Sequence, residues 1–416
     1  MLPYYQPMAH ARYARVAAPV VLAVAALLAA GCSGKHAATP ATVSVTTEST
    51  GVLPPAHESL RDRLAACDST DETAERACYM STLTRIVGAA RDPRPVIDRI
   101  TAIAWSNTTG FLLPNCHVMM HTVGRSYVRR HHVTLATMMD YLPRSNDPSC
   151  PAGFAHGLIT GVAPQINLAN PRSSARVCSR SATRYERYSC VHGFGHAFMR
   201  LTGEQIKPSL TFCLKLGRSW GLDCSGGVFH DYWLAVKGYD NTVSPGARPV
   251  TDPRKLCAAQ APLFVKQCWY RSFLESRPAG FQTDSAASMD RLCAGLRGAQ
   301  RDACITAASV IGPPDPADQL AICAQFRGPD ALSCIHGTKV QNLLRYPVAT
   351  YVGVIRGCER FAGATRIGCY SWLGKTISVV TNGRFRTIGC VKLAAAARRA
   401  CVAGARSMNG PLETFS

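Results

Sequence analysis

The chain has 416 residues, 46 Lys and Arg against 26 Asp and Glu, a formal net charge of +20, and 19 cysteines. It is 47% hydrophobic and 17% charged, which excludes a wholly disordered protein and leaves two or three ordinary domains or one long repeat array. Nineteen cysteines leave two readings: an exported, oxidised chain, or one that binds a great deal of metal.

In chain order, Arg12 and Arg15 form a basic segment ahead of an almost uninterrupted apolar run, Val16 to Ala30. That run of 15 residues has the length of a signal-peptide core and falls short of the ~20 a helix needs to span a bilayer. It ends in Leu28-Ala29-Ala30-Gly31-Cys32, which resembles the lipobox of bacterial lipoproteins. The resemblance implies removal of residues 1–31 and acylation of Cys32, palmitate included. It also implies a protein anchored on the extracytoplasmic face of the bacterial cell membrane. An ordinary signal peptide cut nearby is the alternative. Each buried CH₂ contributes ~0.8 kcal/mol, so two or more acyl chains hold a protein firmly on a bilayer. Residues 32–57 are rich in Ser, Thr, Ala and Pro and read as a flexible tether.

Setting Cys32 aside leaves 18 cysteines with a regular spacing. Cys67 and Cys78 stand 11 apart, as do Cys213 and Cys224, Cys257 and Cys268, Cys293 and Cys304, Cys323 and Cys334, Cys358 and Cys369, and Cys390 and Cys401; Cys178 and Cys190 stand 12 apart. First cysteines recur every 30 to 44 residues from Cys178 onward, a repeat in the range of helical-hairpin arrays. On one continuous helix 11 residues separate Cα atoms by ~16 Å, whereas a disulfide needs ~4.4–6.8 Å. A bridged pair therefore requires the chain to reverse between its cysteines. Gly217, Pro262, Gly298, Gly328 and Gly363 lie four or five residues after a first cysteine, where the turn belongs. Each unit reads as a helix A, a tight turn and a helix B, stapled near the turn. A glycine recurs three residues after the second cysteine, or after Cys150, at 153, 193, 227, 337 and 404; close crossing of neighbouring helices is the plain reason. Zinc on the paired cysteines is the weaker reading, because a spacing of 11 lacks the C-x₂₋₄-C ligand pattern. Cys116 and Cys150 lack a hairpin partner; they either bridge two repeats or supply thiolates to a site.

The expected fold is thus all-α, a disulfide-stapled α-solenoid of helical hairpins. In hairpin length and paired cysteines, residues 57–408 resemble the cysteine-rich Sel1-like and tetratricopeptide-like solenoids. Their consensus residues do not match, so the resemblance carries over no ligand or site. Residues 58–240 form N-terminal repeats carrying a histidine cluster, 241–408 the C-terminal repeats, and 409–416 a tail.

Eight of the 12 histidines fall between residues 117 and 230. His156, His196 and His230 each lie six residues after a helix-B cysteine, and His121 lies five after Cys116. The same offset in the other repeats gives Thr84, Leu274, Val310, Val340, Lys375 and Ser407, so the hairpin itself does not require histidine there. His117 and His192 stand four residues before His121 and His196, and residues four apart share a helix face. Stacked helices ~8–10 Å apart bring His117, His121, His156, His192, His196 and His230 toward one transition-metal site for zinc, copper or iron. Asp231 is a candidate to orient an imidazole, and Glu275 is the candidate catalytic general base. His131 and His132 follow Arg129 and Arg130 and read as a solvated basic face. His336 reads as structural.

No phosphate loop, dinucleotide fingerprint, nucleophile elbow or H-E-x-x-H is present. Two functions follow. The first is an anchored protein that binds metal for handling or metal-assisted catalysis. The second is a helical-repeat scaffold at the cell surface for a protein partner, with structural histidines. The spread positive charge fits anionic lipid or wall polymer, or solubility alone; nucleic acid does not suit an exported lipoprotein. Cys32→Ser should move the protein from the membrane fraction to the soluble fraction on fractionation and abolish palmitate labelling; unchanged membrane association contradicts the anchor.

Overall fold

The computed structural model describes residues 59–107, 110–237, 250–276, 283–313, 315–338, 348–383, 385–386 and 389–407. The apolar run, Cys32, the tether and the 409–416 tail lie outside the described residues. Among the described residues there are eighteen α-helices and no strand.

The hairpins form where local chemistry starts and stops helices. Asp71 caps α2 (Glu72–Ala89) by accepting hydrogen bonds from the Thr73 and Ala74 amides. Thr183 and Glu186 make a reciprocal capping box at the start of α7 (Arg184–Leu201). The expected turns fall at the expected glycines. Gly217 precedes α9 (Arg218–Val236) with φ +92°, and Gly298 opens α13 (Gly298–Val310) with φ +52°. Gly328 precedes α15 (Pro329–His336) with φ +57°, and Gly363 opens α17 (Gly363–Val380) with φ +52°. These backbone conformations are open to glycine at little cost, and nothing lies within 4 Å of where a Cβ would stand at any of the four. Conformation, not crowding, selects glycine there.

All 18 cysteines pair as nine disulfides. The eight hairpin staples hold Cα atoms 5.3 to 5.8 Å apart. Cys116–Cys150, with Cα atoms 4.9 Å apart, joins α4 (Leu112–His131) to α5 (Cys150–Gly161), which belong to successive repeats. Of the two readings left open by the sequence, the inter-repeat bridge is the one observed.

The B-helices stack in order. α2 packs on α4, α4 on α5, α5 on α7, α7 on α9, α9 on α11 (Val265–Ser276), α11 on α13, α13 on α15 and α15 on α17. The last, α18 (Ala395–Arg406), packs on α17, and α17 returns to touch α7. The middle helices are core on every side: α5 is buried without a break from Cys150 to Thr160. A helix apolar all round must be enclosed by its neighbours, and here those neighbours are other B-helices.

The recurrent glycines mark the crossings. A Cβ at Gly153 would overlap the carbonyl of His117, one at Gly157 that of His121, and one at Gly227 that of His192. Gly337 and Gly404 stand in the same way against the carbonyls of Thr306 and Ser371, in repeats without paired histidines. Close crossing is therefore a property of the array. Replacing Cys293 and Cys304 together by Ser should lower the unfolding free energy by ~3 kcal/mol, read from the urea midpoint, while the histidine site stays intact. An unchanged midpoint would show that the staple adds nothing to stability.

Candidate metal centre

Four consecutive B-helices deliver the histidines. α4 carries His117 and His121, α5 carries His156, α7 carries His192 and His196, and α9 carries His230. Because glycines let α4 cross α5 and α7 cross α9 at backbone contact, imidazoles from different repeats come into ring contact. Ring centroids of His121 and His196 are 4.7 Å apart, those of His156 and His192 4.7 Å, and those of His196 and His230 4.9 Å. His121, His156, His192, His196 and His230 are all buried, and His117 is partly buried at the edge.

Most of these rings are gripped on one nitrogen. His117 Nδ1 donates to the Pro148 carbonyl at 2.6 Å, and His196 Nδ1 lies 2.8 Å from Asp231 Oδ1. His156 Nε2 lies 3.1 Å from Ser189 Oγ, and His230 Nε2 is 3.2 Å from Glu275 Oε1. The opposite nitrogens converge. His121 Nε2 and His156 Nδ1 are 3.3 Å apart, and His192 Nε2 and His230 Nδ1 are 3.4 Å apart. His117 Nε2 and His121 Nδ1 are buried without a hydrogen-bond partner.

Two groups of four can hold a metal ion: His117, His121, His156 and His230, and His156, His192, His196 and His230. Within each group the ligand atoms all lie within 4.8 Å of one another. Nitrogens ~2.0–2.1 Å from a tetrahedral zinc stand about 3.4 Å from each other, which is the separation of the two converging pairs. The groups share His156 and His230. The six imidazoles therefore suffice for one ion with four ligands, or for two ions with three each.

The protonation state suits ligation. Burial holds His121, His156, His192 and His230 well below the usual imidazole range, and Arg271 pushes His192 and His230 further the same way. His117 is lowered to about 4, by burial against the opposing pull of its Pro148 bond. Neutral imidazoles present a free electron pair to a metal with no proton to displace.

The six histidines expected to meet do meet. Asp231 takes its expected place behind His196. Glu275 holds the outer nitrogen of His230 and lies 3.4 Å from Lys237 Nζ, so its contacts are those of a residue that orients a ring. His131 lies outside the cluster but is not simply solvated: it stacks on Tyr127 at 4.1 Å and bonds the Gly88 carbonyl at 2.9 Å. His336 packs on Trp372 at 4.3 Å, away from the cluster.

Sequence reasoning missed Ser189, Pro148, Tyr188 and Arg271. Arg271 had a signal. It lies three residues after Cys268, where five other repeats place glycine and others Ser81, Ala307 and Trp372, so Arg271 is the one cation in that register. All six histidines lie within residues 58–240, and Arg271 and Glu275, on α11, adjoin them from beyond residue 240.

No protein-family profile, curated protein or solved structure matches this chain.

The lowered imidazoles set a pH dependence for the metal-free protein. Unfolded histidines protonate near 6.5, while the folded ones resist. Stability is full above about pH 6.5 and falls as pH drops from there, until His117 protonates at about 4. Each such histidine contributes up to about 1.4 kcal/mol per pH unit in that window. Thermal melts of metal-free protein should show Tm falling steeply between pH 7.5 and 5; a flat profile contradicts the burial of neutral histidines.

Proposed function

We propose that this chain is an extracytoplasmic, lipid-anchored protein that binds a transition metal, zinc, copper or iron, through His117, His121, His156, His192, His196 and His230. The bound metal serves metal handling or metal-assisted catalysis. The observation that carries this reading is the convergence of two overlapping sets of four imidazole nitrogens, with most of the rings held from behind by a carbonyl, a hydroxyl or a carboxylate. Such outer partners are what fix and tune metal-ligating histidines.

Packing alone accounts poorly for the same residues. Buried polar atoms are nearly always hydrogen-bonded, yet His117 Nε2 and His121 Nδ1 have no partner. A core position would be filled more favourably by an apolar side chain, as the offsets Leu274 and Val310 are. Imidazole nitrogens with no competing thiolates favour zinc, copper or iron over magnesium or calcium.

Nine disulfides support an oxidising compartment. No helix among the described residues is long and apolar enough to cross a membrane. Metal analysis of the oxidised full chain should find at least one equivalent of zinc, copper or iron after loading. His156→Ala with His230→Ala, which breaks both sets, should cut uptake at least tenfold, while His336→Ala leaves it unchanged. Uptake below a tenth of an equivalent in the wild type would sink the proposal.

A further inference from the structure

A guanidinium lies beside the histidines with no carboxylate among the described residues to balance it. Arg271, on α11, is 2% exposed. Its Nη2 is 3.4 Å from His192 Nδ1 and 3.4 Å from Tyr188 Oη, and its Nε has no partner. Its guanidinium also sits 5.3 Å from the ring centroid of Tyr270. No carboxylate pairs with it among the described residues. The other deeply buried arginine shows what is missing: Arg184 has Asp223 at 2.7 Å. A buried cation without a counter-charge is strongly disfavoured, so the site is complete only when something negative enters.

The nearby residues do not supply that charge. The six imidazoles are neutral at best and repel a cation when protonated. Asp231 is committed to His196, and Glu275 lies between His230 and Lys237. A divalent metal on the histidines adds two further positive charges. A guanidinium presents a planar fork of N–H donors that matches phosphate oxygens two at a time, and Tyr188 adds a hydroxyl donor beside it.

A cleft opens on the same side of α7. This cleft, of about 130 Å³, is lined by Arg144 and Arg180 and reaches Ser189, whose hydroxyl bonds His156. Ser189 adjoins Tyr188 on α7. The volume is below the ~300 Å³ of a pocket for drug-sized molecules, and its lining sets Arg144 and Arg180 against one acid, Glu186, a net positive balance that favours small anions.

We infer that the histidine centre takes a small oxyanion of the phosphate class as its ligand or substrate, held by Arg271 and Tyr188 beside the metal. This rests on the metal-binding reading, and the test separates the two. The oxidised full chain is loaded with Zn²⁺ in chloride buffer, its zinc content is measured, and inorganic phosphate is titrated by calorimetry. Zinc-loaded wild type should bind phosphate saturably, one per site. Arg271→Met should keep its zinc and lose at least tenfold in phosphate affinity, with Tyr188→Phe losing less. A parallel titration with phenyl phosphate distinguishes a free ion from a phosphate ester as the natural source; binding of either supports the inference.

Arg271→Met should also raise the Tm of protein free of metal and anion, because it removes an unbalanced buried charge; an arginine retained only for packing would show the opposite. If Arg271→Met does not fold, Arg271→Lys serves, with a smaller loss of affinity. Full zinc uptake without saturable phosphate binding, or an Arg271 variant that binds phosphate as tightly as wild type, overturns the inference and leaves the metal reading standing. Absence of zinc, copper and iron uptake overturns both.

Discussion

Everything in this molecule depends on how closely its B-helices cross. Two α-helices normally pack with axes ~8–10 Å apart, spaced by side chains. Here Gly153, Gly157, Gly195 and Gly227 remove the spacers, and the backbone of one helix lies against that of the next. The consequence is geometric. An imidazole extends only a short way from its Cα, so the close crossing brings rings on separate repeats into direct contact. The same crossing in repeats without paired histidines, at Gly337 and Gly404, shows that the array supplied the closeness and the histidines used it.

Such a centre is costly to keep in a core. Six imidazoles and a guanidinium occupy volume that hydrophobic side chains would fill more favourably, and each must shed its hydration. Glycines add further backbone entropy to the unfolded state. The disulfides work in the opposite direction, by restricting that unfolded state. Three of the nine, Cys116–Cys150, Cys178–Cys190 and Cys213–Cys224, tie helices that carry the histidines. The cysteines thus act on the site through the frame, holding the helices in place and contributing no ligand.

The architecture was legible because disulfide geometry is strict. A spacing of 11 is too long for one helix and suits a reversed chain, so the ladder of cysteines dictated both the hairpins and the turn glycines that close them. It also provided the register in which His156, His196 and His230 fall on one offset, and the convergence followed from that. The ring partners were less accessible. Pro148 acts through its backbone carbonyl, which carries no identity in sequence. Ser189 is adjacent to Cys190 and nothing distinguishes it from any other serine. Glu275 was placed near the site, but its role depends on which imidazole nitrogen it faces, and periodicity does not specify that.

Arg271 is the instructive case, since the cysteine register did contain it. Reading the register for histidine alone passes over the one repeat where glycine gives way to a large cation. The space has been relocated across the interface. On α9, a Cβ at Gly226 would stand 3.1 Å from Gln267 Oε1 and 3.1 Å from His192 Nδ1, so the absent side chain there opens the region where α11 meets His192. Where α9 meets α7, glycine lets backbones touch; where it meets α11, glycine makes room for charge beside an imidazole. One residue type in one kind of hairpin thereby does two things: it draws the neutral ligands together, and it admits beside them a positive group whose balance must come from a bound anion.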